Sequence, residues 1–515
     1  MAGGIGLSRL AGLIRQRALN HYLGLGLEAD AFLAAFRIPN VLQNLLGEGS
    51  LSASFIPVYS RLLAAGDRDG ARRVAGAVAG ALGVLVGVGV LVGIVAAPWL
   101  VDVLTPGFEG EKRALTIRLV RILFPGAGLL VLSSWCLGIL NSHGRFFLSY
   151  AAPVVWNLTI ILTVVFAGGR ADPGRLALLA AAAAVAGSLL QFAVQLPGAL
   201  RAAGGVRVSL GRGDRSAGDV RRTFGPALLS RGVAQVSAYV DTMIASGLPT
   251  GAVAGLLNAQ LLYTLPVSLF GMSIAAAELP AMSGTTGRPG PKRDQALRDR
   301  VTGAAERVAF FVVPSAAAFI GLGHLVAGLV FQSGRFAAAD VRYVWAILAG
   351  ASVGLLGATL GRLLGSAFFA LGDTVTPFRI AALRVAVATA GGVTLAYAGP
   401  GWLGIEPRWG VVGLTAASGA AAWTEFLLLR HRLSARIGPL PFRPGLQLRL
   451  WTAAALGVGA GWGIASLTPG WPVTLQSLIA LLGFGLTYFG VTIMLGVPTG
   501  REALRRMRPP GEPRR

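Results

Sequence analysis

The chain has 515 residues, of which 54% are hydrophobic and only 13% charged, with a mean hydropathy of +0.67. A soluble domain gives about a quarter of its residues to charge, so these figures exclude an ordinary soluble enzyme or binding module and point to a polytopic membrane protein. The net charge of +23 would suggest a nucleic-acid partner in a soluble chain, but its placement here reads as membrane topology, and no nucleic acid is expected.

Crossing a bilayer takes about 20 apolar residues. In chain order, candidate segments fall at 3–25, 30–60, 74–101, 122–144, 146–169, 176–200, 220–247, 252–283, 308–334, 343–361, 375–398, 409–430 and 450–500. The last is long enough for a hairpin, turned near Pro469-Gly470-Trp471-Pro472. Together they predict an all-α polytopic fold of about fourteen transmembrane helices, since the segments far exceed the roughly ten-residue strands of a barrel. Basic residues gather in alternate connections: Arg61 to Arg73, Arg201 to Arg222, Arg288 to Arg300, Arg430 to Arg449, and the tail RRMRPPGEPRR. Arg170 and Arg175 depart from that alternation. The positive-inside rule then puts both termini in the cytoplasm. The N-terminus lacks a long uncharged core and a cleavage-type end, so the first span is expected to serve as the insertion element. Cys136, the single cysteine, excludes an intramolecular disulfide and reads as packing.

Short motifs recur at long range. Leu7-Ser8-Arg9 returns as Leu229-Ser230-Arg231, Pro57-Val58-Tyr59-Ser60 as Pro280-Ala281-Met282-Ser283, and Gly144-Arg145 as Gly372-Asp373, at offsets of 222, 223 and 228. The order and near-constant offset predict two six-helix lobes, 1–205 and 206–440, a terminal helix pair at 441–500 and a basic tail at 501–515. A parallel repeat of this kind is a transporter signature, with a substrate site expected between lobes. Gly76, Gly80, Gly83, Gly87, Gly89 and Gly93 set small-residue pairs along one span, a pattern that lets helices approach closely in lipid.

Ionisable groups inside a membrane are costly, and by default mark a cavity or bundle interior. The richest stretch is DAFLAAFRIPNVLQNLLGEGS, residues 30–50. Beyond Pro39, the positions Asn40, Gln43, Asn44, Gly47 and Glu48 share one helix face, read as cavity lining or, alternatively, as interhelical hydrogen bonds. Pro39, Gly47 and Gly49 predict a bend or broken helix. In the first span Arg9 and Arg15 stand six residues apart, about 240° around a helix, so both can border only a wide cavity. Arg17 and His21 are expected to snorkel to an interface. Arg231, Asp241, Arg362 and Arg384 are isolated in apolar surroundings; Asp241 with Arg384 is read either as an ion pair across helices or as two groups each reaching an interface.

SRLAGLIRQ and DAFLAAFRIPNVLQNLLGEGSLSASFIPVYS together resemble the MurJ (MviN) family of lipid II flippases. APWLVDVLTPGF, ILNSHGRF, FQSGRFAAADV and GDTVTPFRIA are similar to that family in the right order. The resemblance covers nearly the whole length. It implies a MOP-superfamily transporter carrying the undecaprenyl-pyrophosphate-linked peptidoglycan precursor from the cytoplasmic to the periplasmic leaflet of the bacterial inner membrane. Lipid II and membrane lipids are the implied partners, with cell-wall synthesis proteins as further ones. Family cavity positions fall on Arg9, Arg15, Asp30, Asn40 and Glu48. Departures are Gln16 for an acid, Gln43-Asn44 for a basic pair, and Leu261 for an arginine on the eighth helix. Arg231, at the repeat position of Arg9, is expected to supply positive charge in the second lobe. No cofactor is implied. Some relatives bind sodium, and Asp241 matches such a ligand, with Arg384 standing as a built-in cation near the same place.

Two rival classes were weighed. Another MOP exporter would move a different polyprenyl-linked saccharide or an amphipathic compound. A membrane enzyme acting on polyprenyl phosphates would need clustered acids for magnesium or general acid/base work, whereas the four histidines are scattered and no Asp-rich pair or HExxH occurs.

Overall fold

Helices account for nearly all regular structure in the computed structural model of the chain, which describes residues 2–211, 214–284, 290–441 and 443–500. The basic tail at 501–515 lies outside the described residues, as do the side chains of residues 2–5, 48 and 225–238. In order the helices are α1 (Ala2–Leu23), α2 (Leu27–Arg37), α3 (Asn40–Leu46), α4 (Glu48–Ala64), α5 (Arg68–Val95), α6 (Ala97–Leu104), α7 (Gly110–Ser142), α8 (Phe146–Ala167), α9 (Pro173–Ala203), α10 (Arg215–Ser246) and α11 (Ala252–Pro266). A π-helical turn, Val267–Met272, joins α11 to α12 (Ser273–Gly284). Then follow α13 (Pro291–Gly321), α14 (Gly323–Phe331), α15 (Ala338–Ser352), α16 (Leu355–Ala370), α17 (Val375–Tyr397), α18 (Gly399–Leu403), α19 (Gly410–Ile437), α20 (Pro444–Leu467) and α21 (Val473–Met494).

Ten of the described spans are long and apolar enough to cross a membrane, or eleven if α15 and α16, bent by 42°, count as one. The expected fourteen requires counting α1, the α2–α4 run and α10 as well. Each falls short on apolarity or continuity: α1 carries Arg9, Arg15 and Arg17, α2–α4 is interrupted at Pro39 and Gly47, and α10 carries Arg215, Arg221, Arg222 and Arg231. The break predicted within residues 30–50 is therefore present. Gly47 is needed there because a Cβ would run into the Gln43 carbonyl oxygen.

Several helix starts follow directly from capping aspartates. Asp67 accepts from Gly70 N at 2.7 Å, Asp172 from Arg175 N at 2.9 Å, and Asp214 from Ala217 N at 3.1 Å; each satisfies a donor that the first helical turn leaves open. Asp373 does the same for Val375 N and Thr376 N and also meets Arg436. The Thr376 amide and hydroxyl, then Arg436, hold its carboxyl below the usual carboxylate range.

The chain forms two compact units, Met1–Ala254 with Ser333–Ala337, and Gly255–Gln332 with Ala338 onward. The first extends past the lobe boundary expected at 205/206 because α10 packs along α4, α3 and α5. In that unit α7 is the central helix, packed by α9, α5, α2 and α4 and buried on most sides. In the second, α19 packs on α17, α16 and α15, and the α20–α21 hairpin docks on α13 and α14 through Leu322, Leu325 and Phe484.

The α7–α8–α9 arrangement of the first unit recurs as α16–α17–α19 in the second. Even the turns match. Arg145 N donates to Leu140 O at 2.9 Å and Gly144 N to Asn141 O at 3.0 Å; Asp373 N donates to Phe368 O at 2.9 Å and Gly372 N to Phe369 O at 3.0 Å. Both are Schellman closures on a left-handed glycine, φ 71° and 78°, at the 228-residue offset of the sequence motif.

Indole N–H groups close backbone gaps in the second unit. Trp345 donates to Ile320 O at 3.0 Å, Trp462 to Gly321 O at 2.9 Å, and Trp423 to Val353 O at 2.8 Å. Each carbonyl sits at a helix end or at the α15–α16 bend, where no intrahelical partner remains. On α5 the glycine stripe does something other than expected. Gly83 and Gly87 face open space, while Gly76 and Gly80 admit an extended strap, residues 206–210, whose carbonyl oxygens would strike a Cβ at either position. Ser209 N donates to Gly76 O at 3.2 Å.

Candidate functional site

Arg15 is the focus of the first unit. Its guanidinium carbon lies 4.8 Å from the Trp156 ring centre and 5.3 Å from that of Phe36, a cation–π arrangement on two faces. Its Nε is buried without an acceptor, and no carboxylate pairs with it among the described residues. The neighbour that could have been acidic is Gln16, which is buried and donates to Asn20 at 3.1 Å. Trp156 is held by its indole N–H on Ala184 O at 3.0 Å, and a Cβ at Gly187 would come within 2.9 Å of its ring. Sequence, packing and charge are linked here: Gly187 makes room for Trp156, which in turn supports Arg15.

Beside the rings, Phe36, Pro39, Asn40, Trp156 and Ser188 line a pocket of about 20 Å³, enough for one water molecule. Asn40 is half-buried there, Gln43 is half-buried and Asn44 is exposed. Arg9 is exposed, six residues or about 9 Å along α1 from Arg15, and is engaged in an interaction of its own. The Glu48 and Arg231 side chains lie outside the described residues.

Asp30 is buried and fully engaged. Its carboxylate accepts from Gly251 N and Ala254 N, both at 2.8 Å, and from Lys112 Nζ at 3.1 Å. Lys112 also donates to Thr250 at 3.0 Å and lies over the Phe108 ring at 4.9 Å. Asp30 thus ties α2 to α7 and to the first turn of α11, where the helix dipole and open amides favour an anion. Arg37 was not singled out as a site residue from the sequence. It donates to Thr242 at 3.0 Å, covers the Tyr239 ring at 5.1 Å, and feels the charge of Asp241.

Arg384 has a different carboxylate from the one expected. Its Nε lies 3.2 Å from Glu425 Oε2, an ion pair without hydrogen-bond alignment, and Asp241 acts on Arg37 instead. Arg362, exposed on α16, and Arg384 both act electrostatically on Tyr263 of α11. Among the residues not anticipated, Glu425 stands as a lone acid in an apolar run, while Lys112 is hidden in sequence by the charged run Glu111-Lys112-Arg113. Trp156 gave no signal inside its apolar run.

The family profile described as Lipid II flippase MurJ matches residues 19–482. A probable lipid II flippase MurJ of Rhizobium tropici is 31% identical over 414 residues, covering 77% of this chain and 76% of the relative. One from Bdellovibrio bacteriovorus is 30% identical over 541 residues, covering 100% and 96%. Among solved structures, a lipid II flippase MurJ in an inward closed conformation aligns at TM-score 0.74 and 20% identity over 98% of this chain and 99% of that one. An inward-facing multidrug resistance MATE family transporter of the MOP superfamily aligns at 0.64 and 20%, over 82% and 95%. At those identities the structural likeness establishes the fold, and the sequence matches establish the kinship: the chain belongs to the lipid II flippase MurJ family.

Proposed function

We propose that this chain moves lipid II, the undecaprenyl-pyrophosphate-linked peptidoglycan precursor, from the cytoplasmic to the periplasmic leaflet of the inner membrane by alternating access. It is a transporter and makes or breaks no bond. Family membership supports the substrate. The observation that carries the reading in this chain is Arg15, a half-buried cation whose Nε is buried, supported by two aromatic faces and without a carboxylate partner among the described residues. Leaving a charge unpaired in a bundle is unfavourable, and a diphosphate, best held by charge-assisted and often bidentate arginine contacts, relieves it. Arg9 and Asn40 are assigned to the same substrate, and Arg231 to the positive charge of the second lobe.

No cofactor is required. Arg384 stands against Glu425 as a built-in cation, so replacing sodium by potassium is expected to leave transport unchanged. The test of the whole reading is complementation of a flippase-depleted bacterium, with lipid II accessibility at the outer leaflet as readout. Restored growth with outward lipid II supports it; full membrane expression without either sinks it. Export of another polyprenyl-linked saccharide would show as transport of that compound without lipid II movement.

A further inference from the structure

Away from Arg15, an apolar cavity of about 210 Å³ lies in the first unit where α4, α5, α10 and the strap meet. Leu51, Val78, Leu82, Leu210 and Val220 form most of its wall, and Arg221 is the one charged lining residue among the described residues. Apolar cavities of about 150 Å³ stay dry and take up apolar molecules, and this one is larger.

Its surroundings say what kind of molecule. Leu85, which also lines the cavity, is 45% exposed and continues into the Val84, Val88 and Leu91 face of α5, which is more exposed still. A membrane helix that exposes such a face presents it to lipid, so the cavity opens toward acyl chains. The strap carries further exposed apolar residues, Val208 and Leu210, and Arg207 beside them is exposed as well. At the mouth, Arg221 makes only two long hydrogen bonds, to Leu210 O at 3.4 Å and Gly211 O at 3.3 Å. The rest of its guanidinium faces outward, and Arg222 next to it is exposed. Among the described residues no carboxylate lines the cavity. An apolar slot reached from lipid with a guanidinium at its entrance matches an acyl chain of a phospholipid whose headgroup carries net negative charge.

We propose that this cavity binds one acyl chain of an anionic phospholipid, with the lipid phosphate on Arg221. The site uses none of the residues assigned to lipid II and stands whether or not the chain flips that substrate.

The test uses the full chain in detergent, titrated with phosphatidylglycerol or with phosphatidylcholine of the same acyl chains, and reads lipid occupancy by native mass spectrometry. Phosphatidylglycerol is expected to saturate one site and to bind about fivefold more tightly than phosphatidylcholine, whose phosphate is offset by its own choline cation, the worth of one arginine beside a net anionic headgroup. Arg221→Gln is expected to erase that difference, and Arg221→Lys to keep part of it. Ala81→Leu, which fills the cavity from α5, is expected to weaken both lipids. Equal affinity of the wild-type chain for the two lipids overturns the proposal, as does undiminished phosphatidylglycerol binding in Arg221→Gln. Displacement of phosphatidylglycerol by undecaprenyl phosphate at equimolar concentration would assign the cavity to a polyprenyl tail and overturn it as well.

Discussion

Arg15 and Arg384 pose the same physical problem, a guanidinium within a helical bundle, and the two units answer it in opposite ways. Arg384 has Glu425 at 3.2 Å. Arg15 has two aromatic faces and no carboxylate among the described residues. A carboxylate neutralises its partner and fixes two helices together, whereas ring quadrupoles steady a cation while leaving its charge available to an anion. An arginine in an apolar run therefore carries no functional meaning until its partner is known.

The comparison can be broken most sharply at Arg15. Arg15→Gln keeps much of the side-chain volume but removes the charge, and is expected to cut lipid II transport about a hundredfold or more, the loss of roughly two charge-assisted hydrogen bonds. Thermal stability should hold or rise, since a buried unpaired charge is gone. A large fall in melting temperature instead would make Arg15 scaffold. Asp30→Asn is the contrary case: it leaves Lys112 without its carboxylate in a buried setting and is expected to cost about 3 kcal/mol of stability, measured by denaturation in detergent. Loss of transport with full stability would return Asp30 to the substrate. Glu425→Gln is expected to cost about 1–2 kcal/mol, less than a fully buried pair because Arg384 is 37% exposed. Adding Arg384→Gln should recover most of that loss, and a strictly additive double variant would deny the coupling. The smallest effect is expected from Trp156→Leu, about a fivefold drop in transport from one lost cation–π face. Trp156→Phe should restore most of it, and failure of that rescue would leave Trp156 a packing residue.

Much of this organisation was legible in the sequence, for identifiable reasons. Pro39 and Gly47 announce the interruption of the α2–α4 run because their backbone restrictions are local. The Gly144 and Gly372 turns are legible because a left-handed closure selects glycine wherever it occurs. Asp30 was read as cavity lining, and nothing near it in sequence reveals that its acceptors serve amides at Gly251 and Ala254. Partners more than two hundred residues away leave no local signature. From the sequence, Asp241 and Arg384 read either as an ion pair or as two groups each reaching an interface, because both are isolated in apolar surroundings; Arg37 and Glu425, the groups that do approach them, lie on other segments. The strap along α5 was hidden for a further reason: its arginines were explained by topology, and its glycine neighbours by helix packing.

The orphan Nε of Arg15 has one more consequence. A protein that holds a cation without a counter-ion among its described residues is expected to be least stable when empty, and on the proposed role of Arg15 the anionic cargo completes the fold as well as being carried by it. On the proposed role of Arg15, melting temperature is expected to climb with lipid II concentration, the arriving diphosphate then standing for the length of the transit in place of an acid that α1 does not carry.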